Sequence, residues 1–261
     1  LNNRVLKPKT AMKTLLKSAL RRVPFLGENL ITVYKTLFLR RQYDGLSRAE
    51  TFQRIYASKA WGGADDFNSG NGSHDSAVVA PYVALLTQRI QAAYGDKKPV
   101  IVDIGCGDFN VGGQLAGLAS RYIACDIVPE LIARNTERFA DINNVEFKTL
   151  DAVTDALPVG DILLVRQVLQ HLSNADIALV AAKIAKFDTA YITEHFPHPE
   201  NWRGANIDMP HGADIRLLRG SAVCLDKPPF NLGGTYLEVL SVPDTSHLGG
   251  FIKTFCYQKS C

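Results

Sequence analysis

The sequence predicts an α/β fold: a doubly wound, mostly parallel sheet of seven strands, ending in an antiparallel hairpin and preceded by a basic helical arm. Three observations carry this. From residue 100 to about 195, short apolar runs alternate with helix-like stretches, the pattern of βαβ units. The first run, Val100-Ile101-Val102, passes through Asp103 into the glycine turn Gly105-Cys106-Gly107. The last two runs, 235–242 and 251–257, are joined by a link from Pro243 to Gly250. That link is too short for a crossover, so the two strands pair antiparallel.

The elements follow in order. Residues 1–41 hold ten Lys and Arg against one acid, Glu28, a formal +9. The whole chain is +3, which leaves −6 for residues 42–261. Within 12–41, Leu15, Leu16, Leu20, Leu30 and Leu37 alternate with basic residues around a break at Pro24 and Gly27. Three readings of this amphipathic arm stay open: a helix packed on the core or on a second subunit, a peripheral contact with an anionic membrane and, least favoured, a nucleic-acid contact. Met12 is a candidate natural start. Residues 42–261 form the main domain. Residues 50–60 read as a helix leading to Trp61, and 77–94 as a second helix. Between them lies Phe67-Asn68-Ser69-Gly70-Asn71-Gly72-Ser73-His74, read either as a lid over a ligand or as a solvent loop. Strands are expected near 100–104, 121–125, 145–149, 161–165 and 189–194. Residues 196–234, with five prolines and no clear periodicity, are read as a substrate-binding insertion over the sheet's carboxyl edge.

Composition sets bounds. The chain has 261 residues, 46% hydrophobic and 21% charged, enough for one sizeable core. No apolar run reaches the roughly 18 residues a membrane-spanning helix needs, and no signal peptide is evident. Five cysteines without a C-x-x-C pair are expected to be free thiols in a reducing cytoplasm.

The glycine turn decides the ligand class. A turn without Cβ atoms at a strand's carboxyl end lets backbone approach a ligand closely. In Gly-x-Gly-x-x-Gly the third glycine would fall at position 110, where Asn110 stands, so the dinucleotide pattern is not met. Tyr122-Ile123-Ala124-Cys125-Asp126 ends a second strand in an acid about 20 residues on, where a ribose-binding carboxylate belongs. Asp103-Ile104-Gly105-Cys106-Gly107-Asp108 resembles motif I of class I methyltransferases that use S-adenosyl-L-methionine. Phe147 to Ala152 and Asp161 to Leu172 resemble the later motifs of that family, and the likeness spans about 52–258. The stretch from Ile55-Tyr56 through Trp61-Gly62 to Ser69-Gly70-x-Gly72-Ser73 resembles a segment of one bacterial group within it. The resemblance implies the class I methyltransferase fold. It implies cofactor binding by Asp103, Gly105, Cys106, Gly107, Asp126, Ile127, Asp151, Ala152, Gln167, Ser69 and Gly70. Glu194, His195, Asp208 and His211 offer donors for a divalent ion, but a hard ion prefers several carboxylates and Arg166-Gln167 rather than an acid follows the fourth strand, so no metal ligand set is expected.

The chemistry expected is methyl transfer to a hydroxyl. A hydroxyl acceptor needs a base with a pKa near neutrality, a role suited to histidine. His195 and Glu194 end the fifth strand, at the ligand edge. His171 is expected one helical turn past Gln167, on the same face. Each also has a structural reading, as a helix-face contact or a buried polar anchor. Phe196, Trp202, Phe230 and Tyr236 are candidates for an apolar pocket wall or for core. No Asn/Asp-Pro-Pro-Tyr/Phe follows the fourth strand, which favours oxygen over nitrogen. The acceptor is read as a small molecule or glycan. The alternatives are an RNA methyltransferase tethered by the basic arm, a non-catalytic S-adenosylmethionine-binding module and, last, a dinucleotide oxidoreductase. The acidic body makes nucleic acid the weaker partner. A cytoplasmic protein with membrane association and homo-oligomerisation are further expectations.

Overall fold

The computed structural model describes residues 43–63, 67–246 and 248–260. The chain divides into two compact units, Leu1–Leu46 and Ser47–Cys261. In the first, residues 43–46 form a turn in which Leu46 N–H donates to the Tyr43 carbonyl at 3.2 Å. The helix expected within 12–41 lies outside the described residues, and with it the membrane and subunit readings.

The second unit opens with α1 (Arg48–Ala57). Ser47 accepts the Glu50 N–H, and the Glu50 carboxylate takes the Ser47 N–H at 2.8 Å. This capping box satisfies two amides that a helix start leaves without partners. A single short turn, α2 (Asn71–His74), precedes α3 (Ser76–Tyr94), which Asp75 caps by accepting the Ala77 N–H at 2.9 Å.

Seven strands follow: β1 (Val100–Ile104), β2 (Arg121–Asp126), β3 (Val145–Thr149), β4 (Ile162–Arg166), β5 (Thr189–Phe196), β6 (Thr235–Pro243) and β7 (Phe251–Gln258). They lie in one sheet in the order β3-β2-β1-β4-β5-β7-β6. β1 to β5 pair in parallel, and β7 runs antiparallel to both of its neighbours. This is the doubly wound sheet with closing hairpin that the sequence predicts. The helices between strands are α4 (Gly112–Leu115), α5 (Pro129–Arg138) and α6 (Asn174–Ile184).

Period-two alternation splits the strands between two cores. Val102, Ile104, Leu163 and Val165 face a cluster with Ile177, Val180 and Ile184 of α6. Ile101, Ile162 and Leu164 face the other side, with Tyr82, Leu86 and Ile90 of α3. Strand order reverses between β1 and β4, so their carboxyl ends part to leave a crevice, where open α/β sheets bind ligands.

Two local expectations change. The helix expected over 50–60 ends at Ala57. Gln167 and His171 share no α-helix: Gln167 has φ +56°, and Leu169–His171 is a 3-10 turn, with α6 starting only at Asn174. The left-handed residue breaks any continuous helix from the end of β4.

Candidate active site

A cavity of about 390 Å³ opens at the switch point. Gly105 (φ +69°) and Gly107 (φ +56°) form its floor. A Cβ on Gly105 would collide with Val168, and one on Gly107 with the Ser69 hydroxyl. Both positions therefore need glycine for conformation and for space. Asp126, at the end of β2, latches this floor. Its carboxylate accepts the Gly107 N–H and the Val128 N–H, both at 3.1 Å. Burial raises its pKa to about 6.

The segment 69–74 crosses the glycine turn. Ser69 N–H donates to Asp108 Oδ2 at 3.0 Å, and the Ser69 hydroxyl accepts the Asp108 N–H at 2.8 Å. His74 Nε2 meets the same carboxylate at 2.6 Å. Ser69 and Gly70 thus form part of the cavity wall rather than a loop in solvent. Cys106, Ile127, Asp151, Ala152 and Gln167 line the same cavity. The Asp151 carboxylate also receives Arg48 of α1, at 2.7 Å from Nη2 and 3.1 Å from Nε, and Arg48 reaches Asp176 as well.

Asp103 stands apart from this wall. It accepts the Tyr122 hydroxyl at 2.8 Å and borders a separate pocket of about 30 Å³ beneath the turn. The period of two explains the displacement: in β1 only alternate residues share a face, and Asp103 lies on the α3 side with Ile101.

At the other end of the cavity stand His195, His171, Asp244, Ser246, Ile215, Leu218, Leu248 and Ile252. His195 Nε2 lies 2.7 Å from the Gly249 carbonyl and 3.3 Å from Asp244 Oδ2. A carbonyl only accepts, so Nε2 carries the proton and Nδ1 of the neutral ring keeps the lone pair. Nδ1 has no hydrogen-bond partner among the described residues. Asp244 is itself tethered by the Ser246 N–H at 2.9 Å and hydroxyl at 2.6 Å. Burial pushes the His195 pKa down, against the Gly249 carbonyl and Asp244.

His171 lies in the same wall, its ring 5.0 Å from that of Trp61. Its Nδ1 is 3.2 Å from the carbonyls of both Gly212 and Asp214, which fixes Nδ1 as the donor. Burial lowers its pKa to about 4. The unfolded chain therefore binds more protons between about pH 4 and the ordinary histidine value near 6.5. Stability from this neutral ring is complete above about 6.5 and is lost as pH falls toward 4, about 3 kcal/mol in all. Urea midpoints across that range should fall less steeply in His171→Asn than in the wild type.

Glu194 is fully buried and does not face the cavity. Its oxygens accept the amides of Leu169 (3.0 Å) and Gln170 (2.9 Å), and burial raises its pKa to about 8. From the insertion, Arg216 donates to the carbonyls of Leu169, Gln170 and Leu172. The turn after β4 is thus held by its amides on one side and its carbonyls on the other. Glu194 is an anchor for the wall that carries His171.

Of the two readings of the downstream aromatics, pocket wall and packing, the structure takes packing. Phe196, Trp202, Phe230 and Tyr236 are absent from the cavity. Phe196 stacks on Trp202, and Tyr236 on Phe255, while Phe230 packs on the core beside α6. Phe52, Tyr56 and Trp61 of α1 and its exit supply the aromatic lining instead. Asp208 accepts the Asn174 and Met209 amides, and His211 sits 4.0 Å from Asp176, so Glu194, His195, Asp208 and His211 do not converge.

Sequence reasoning missed Arg48, Phe52 and Asp244. Asp244 could have been found: it follows the end of β6, and the β6–β7 hairpin pairs with the strand that ends at His195.

Residues 101–201 match the family described as a methyltransferase domain. That match covers β1 to β5, including the glycine turn. No curated protein matches the chain. Among solved structures, the chain is similar to the N-methyltransferase NodS from Bradyrhizobium japonicum WM9 in complex with S-adenosyl-L-homocysteine: 12% identity, 82% of this chain, 99% of that one, TM-score 0.56. It is also similar to TehB from Haemophilus influenzae: 12% identity, 73% and 68% coverage, TM-score 0.51. The magnesium protoporphyrin IX methyltransferase ChlM from Synechocystis PCC 6803, with bound S-adenosyl-L-homocysteine, gives 16% identity, 85% and 99% coverage and a TM-score of 0.50. The domain match supports a methyltransferase. The structural likenesses carry the fold, which is that of class I methyltransferases.

Proposed function

We propose that this chain is an S-adenosyl-L-methionine-dependent methyltransferase that methylates a hydroxyl of a small molecule or glycan, with His195 as general base. The carrying observation is the cavity itself: the glycine cradle and Asp126 lie at one end, and His195 with Asp244 at the other. The residues fit the cofactor. Two glycines without room for a Cβ leave backbone exposed to a ligand, and a strand-end carboxylate suits two ribose hydroxyls. Ile127, Ala152 and Val153 offer an apolar slot for a base ring. Bound there, S-adenosyl-L-methionine supplies a methyl group on a sulfonium centre, activated for in-line displacement. The protein's part is to align the acceptor and take its proton. His195 Nδ1 is the acceptor of that proton, and Asp244 steadies the ring cation that forms. Trp61, Ile215, Leu218 and Leu248 would hold the acceptor's apolar face.

The stretch Trp61-Gly62 with Ser69-Gly70-x-Gly72-Ser73, which resembles a segment of one bacterial group, lies against the glycine turn and supports a wall over the cofactor. Incubation with methyl-labelled cofactor and a panel of glycans and hydroxylated metabolites tests the reading. Label on a hydroxyl oxygen is expected; label confined to nitrogen or to RNA contradicts it. The basic segment 12–41 suits an acceptor at an anionic membrane. The full chain should then float with anionic liposomes and a chain starting at residue 42 should not, and equal behaviour of the two would sink that idea.

A further inference from the structure

His171 and His195 both line the cavity, and one buried side chain touches both. Gln170 lies in the turn after β4. Its Oε1 accepts the His195 N–H at 3.2 Å, and its Nε2 lies 3.3 Å from His171 Nε2. A backbone N–H only donates, so the amide oxygen belongs on the His195 side and the NH2 faces His171. The His171 ring is fixed from its other side. Nδ1 carries the proton, because the Gly212 and Asp214 carbonyls only accept. Nε2 of the neutral ring is then an acceptor, and the Gln170 NH2 is its donor.

Neither side chain can change its role without loss. The turn is clamped: the Gln170 N–H donates to Glu194 Oε2 at 2.9 Å, and the Gln170 carbonyl accepts from Arg216 Nη1 at 3.2 Å. Turning the amide over would set its NH2 against the His195 N–H, donor against donor. A proton on His171 Nε2 would face the same NH2. Either change breaks a buried hydrogen bond and leaves donors unpaired. The groups around the ring do not offset this. Phe52 and Trp61 pack on it as neutral rings. Arg216 disfavours a second positive charge, and Asp214 meets the ring through its carbonyl. Glu194 spends its oxygens on the Leu169 and Gln170 amides. His195 differs, because the Gly249 carbonyl and Asp244 hold it at Nε2 and leave Nδ1 open.

We infer that Gln170 is a positioning residue: its amide, oriented by the His195 backbone, fills the lone pair of His171 Nε2 and leaves His195 Nδ1 to take the acceptor's proton. The proton-taking role rests on the reading of the cavity as a methyltransferase site. The hydrogen-bond assignment rests on the printed contacts of the two rings and holds without it.

Nitrogen-15 NMR of the full chain with labelled histidine tests this. His171→Asn and His195→Gln assign the two ring signals by their loss. At pH 7 the His171 ring should be neutral with its proton on Nδ1, and the His195 ring neutral with its proton on Nε2. A wild-type His171 that is charged at pH 7, or carries its proton on Nε2, overturns the inference. Gln170→Glu replaces the NH2 by an oxygen that accepts. His171 should then be doubly protonated at pH 6, where the wild-type ring is neutral. Gln170→Met removes the donor and adds no charge, so His171 should take its second proton at a higher pH than in the wild type. A His171 signal that titrates as in the wild type in both variants overturns the link, since a merely structural glutamine would leave that signal unmoved. If Gln170→Glu does not fold, Gln170→Met carries the test, and an unmoved or lowered midpoint overturns the link. With an acceptor found by screening, the fall in rate toward low pH should follow the His195 signal. A rate that follows the His171 signal instead overturns the division of roles. A wild type that methylates no acceptor removes the proton-taking role together with the proposed function, while the ring signals still decide the Gln170 link.

Discussion

Replacing Asp126 by Ala should abolish measurable binding of S-adenosyl-L-homocysteine, a loss of about 100-fold or more. Two effects add. A strand-end carboxylate bonded to two ribose hydroxyls makes two charge-assisted contacts, each worth about 1.5–3 kcal/mol. The same carboxylate holds the Gly107 and Val128 amides, so its removal also frees the floor of the cavity. Asp126→Asn keeps the shape and loses the charge, and should cost less, about 10-fold. The pH dependence follows from burial, which raises the folded-state pKa to about 6. Ligand affinity should therefore fall as pH drops through about 6, because the protonated acid is the poorer acceptor. Titration calorimetry from pH 5 to 8 reads both effects. Affinity independent of Asp126 would place the ribose elsewhere.

The second large effect concerns His195. Exchange for Gln should lower methyl transfer by about 10²- to 10⁴-fold, the usual contribution of a positioned base, with S-adenosyl-L-homocysteine affinity unchanged. Asp244→Asn should give a smaller loss of the same kind. It leaves the Gly249 carbonyl to hold the Nε2 proton but removes the charge that favours the ring cation. Single-turnover rates on an acceptor found by screening, compared across pH, separate the two. His195→Gln at full rate would move the base to another residue or show that the acceptor needs none. Glu194 faces the Leu169 and Gln170 amides, Lys253 pairs with Glu238, and His171 donates to the insertion.

The strands were legible because each is a short apolar run bounded by turn residues, and sheet packing enforces that pattern. The hairpin was legible from one short link. The glycine end of the cavity was legible because glycine and a strand-end acid leave local marks. Other parts of the site are assembled by topology. Arg48 and Asp151 meet across 103 positions, and His195 and Gly249 across 54. No local pattern announces such pairs. The helix expected to join Gln167 and His171 is broken by a left-handed backbone at Gln167, which a non-glycine residue does not mark in the sequence. Of the two readings of the four aromatics the structure takes packing, because outer strands also need large side chains: Phe196 and Tyr236 both pack on Phe255 of β7.

The most direct test of the central claim is calorimetric titration of the full chain with S-adenosyl-L-methionine and S-adenosyl-L-homocysteine, with NAD alongside. The glycine cradle and Asp126 predict one site with micromolar or tighter affinity for both adenosyl ligands and no heat with NAD. NAD binding, or no binding of either adenosyl ligand, would contradict the assignment and leave the cavity at the switch point without its proposed occupant.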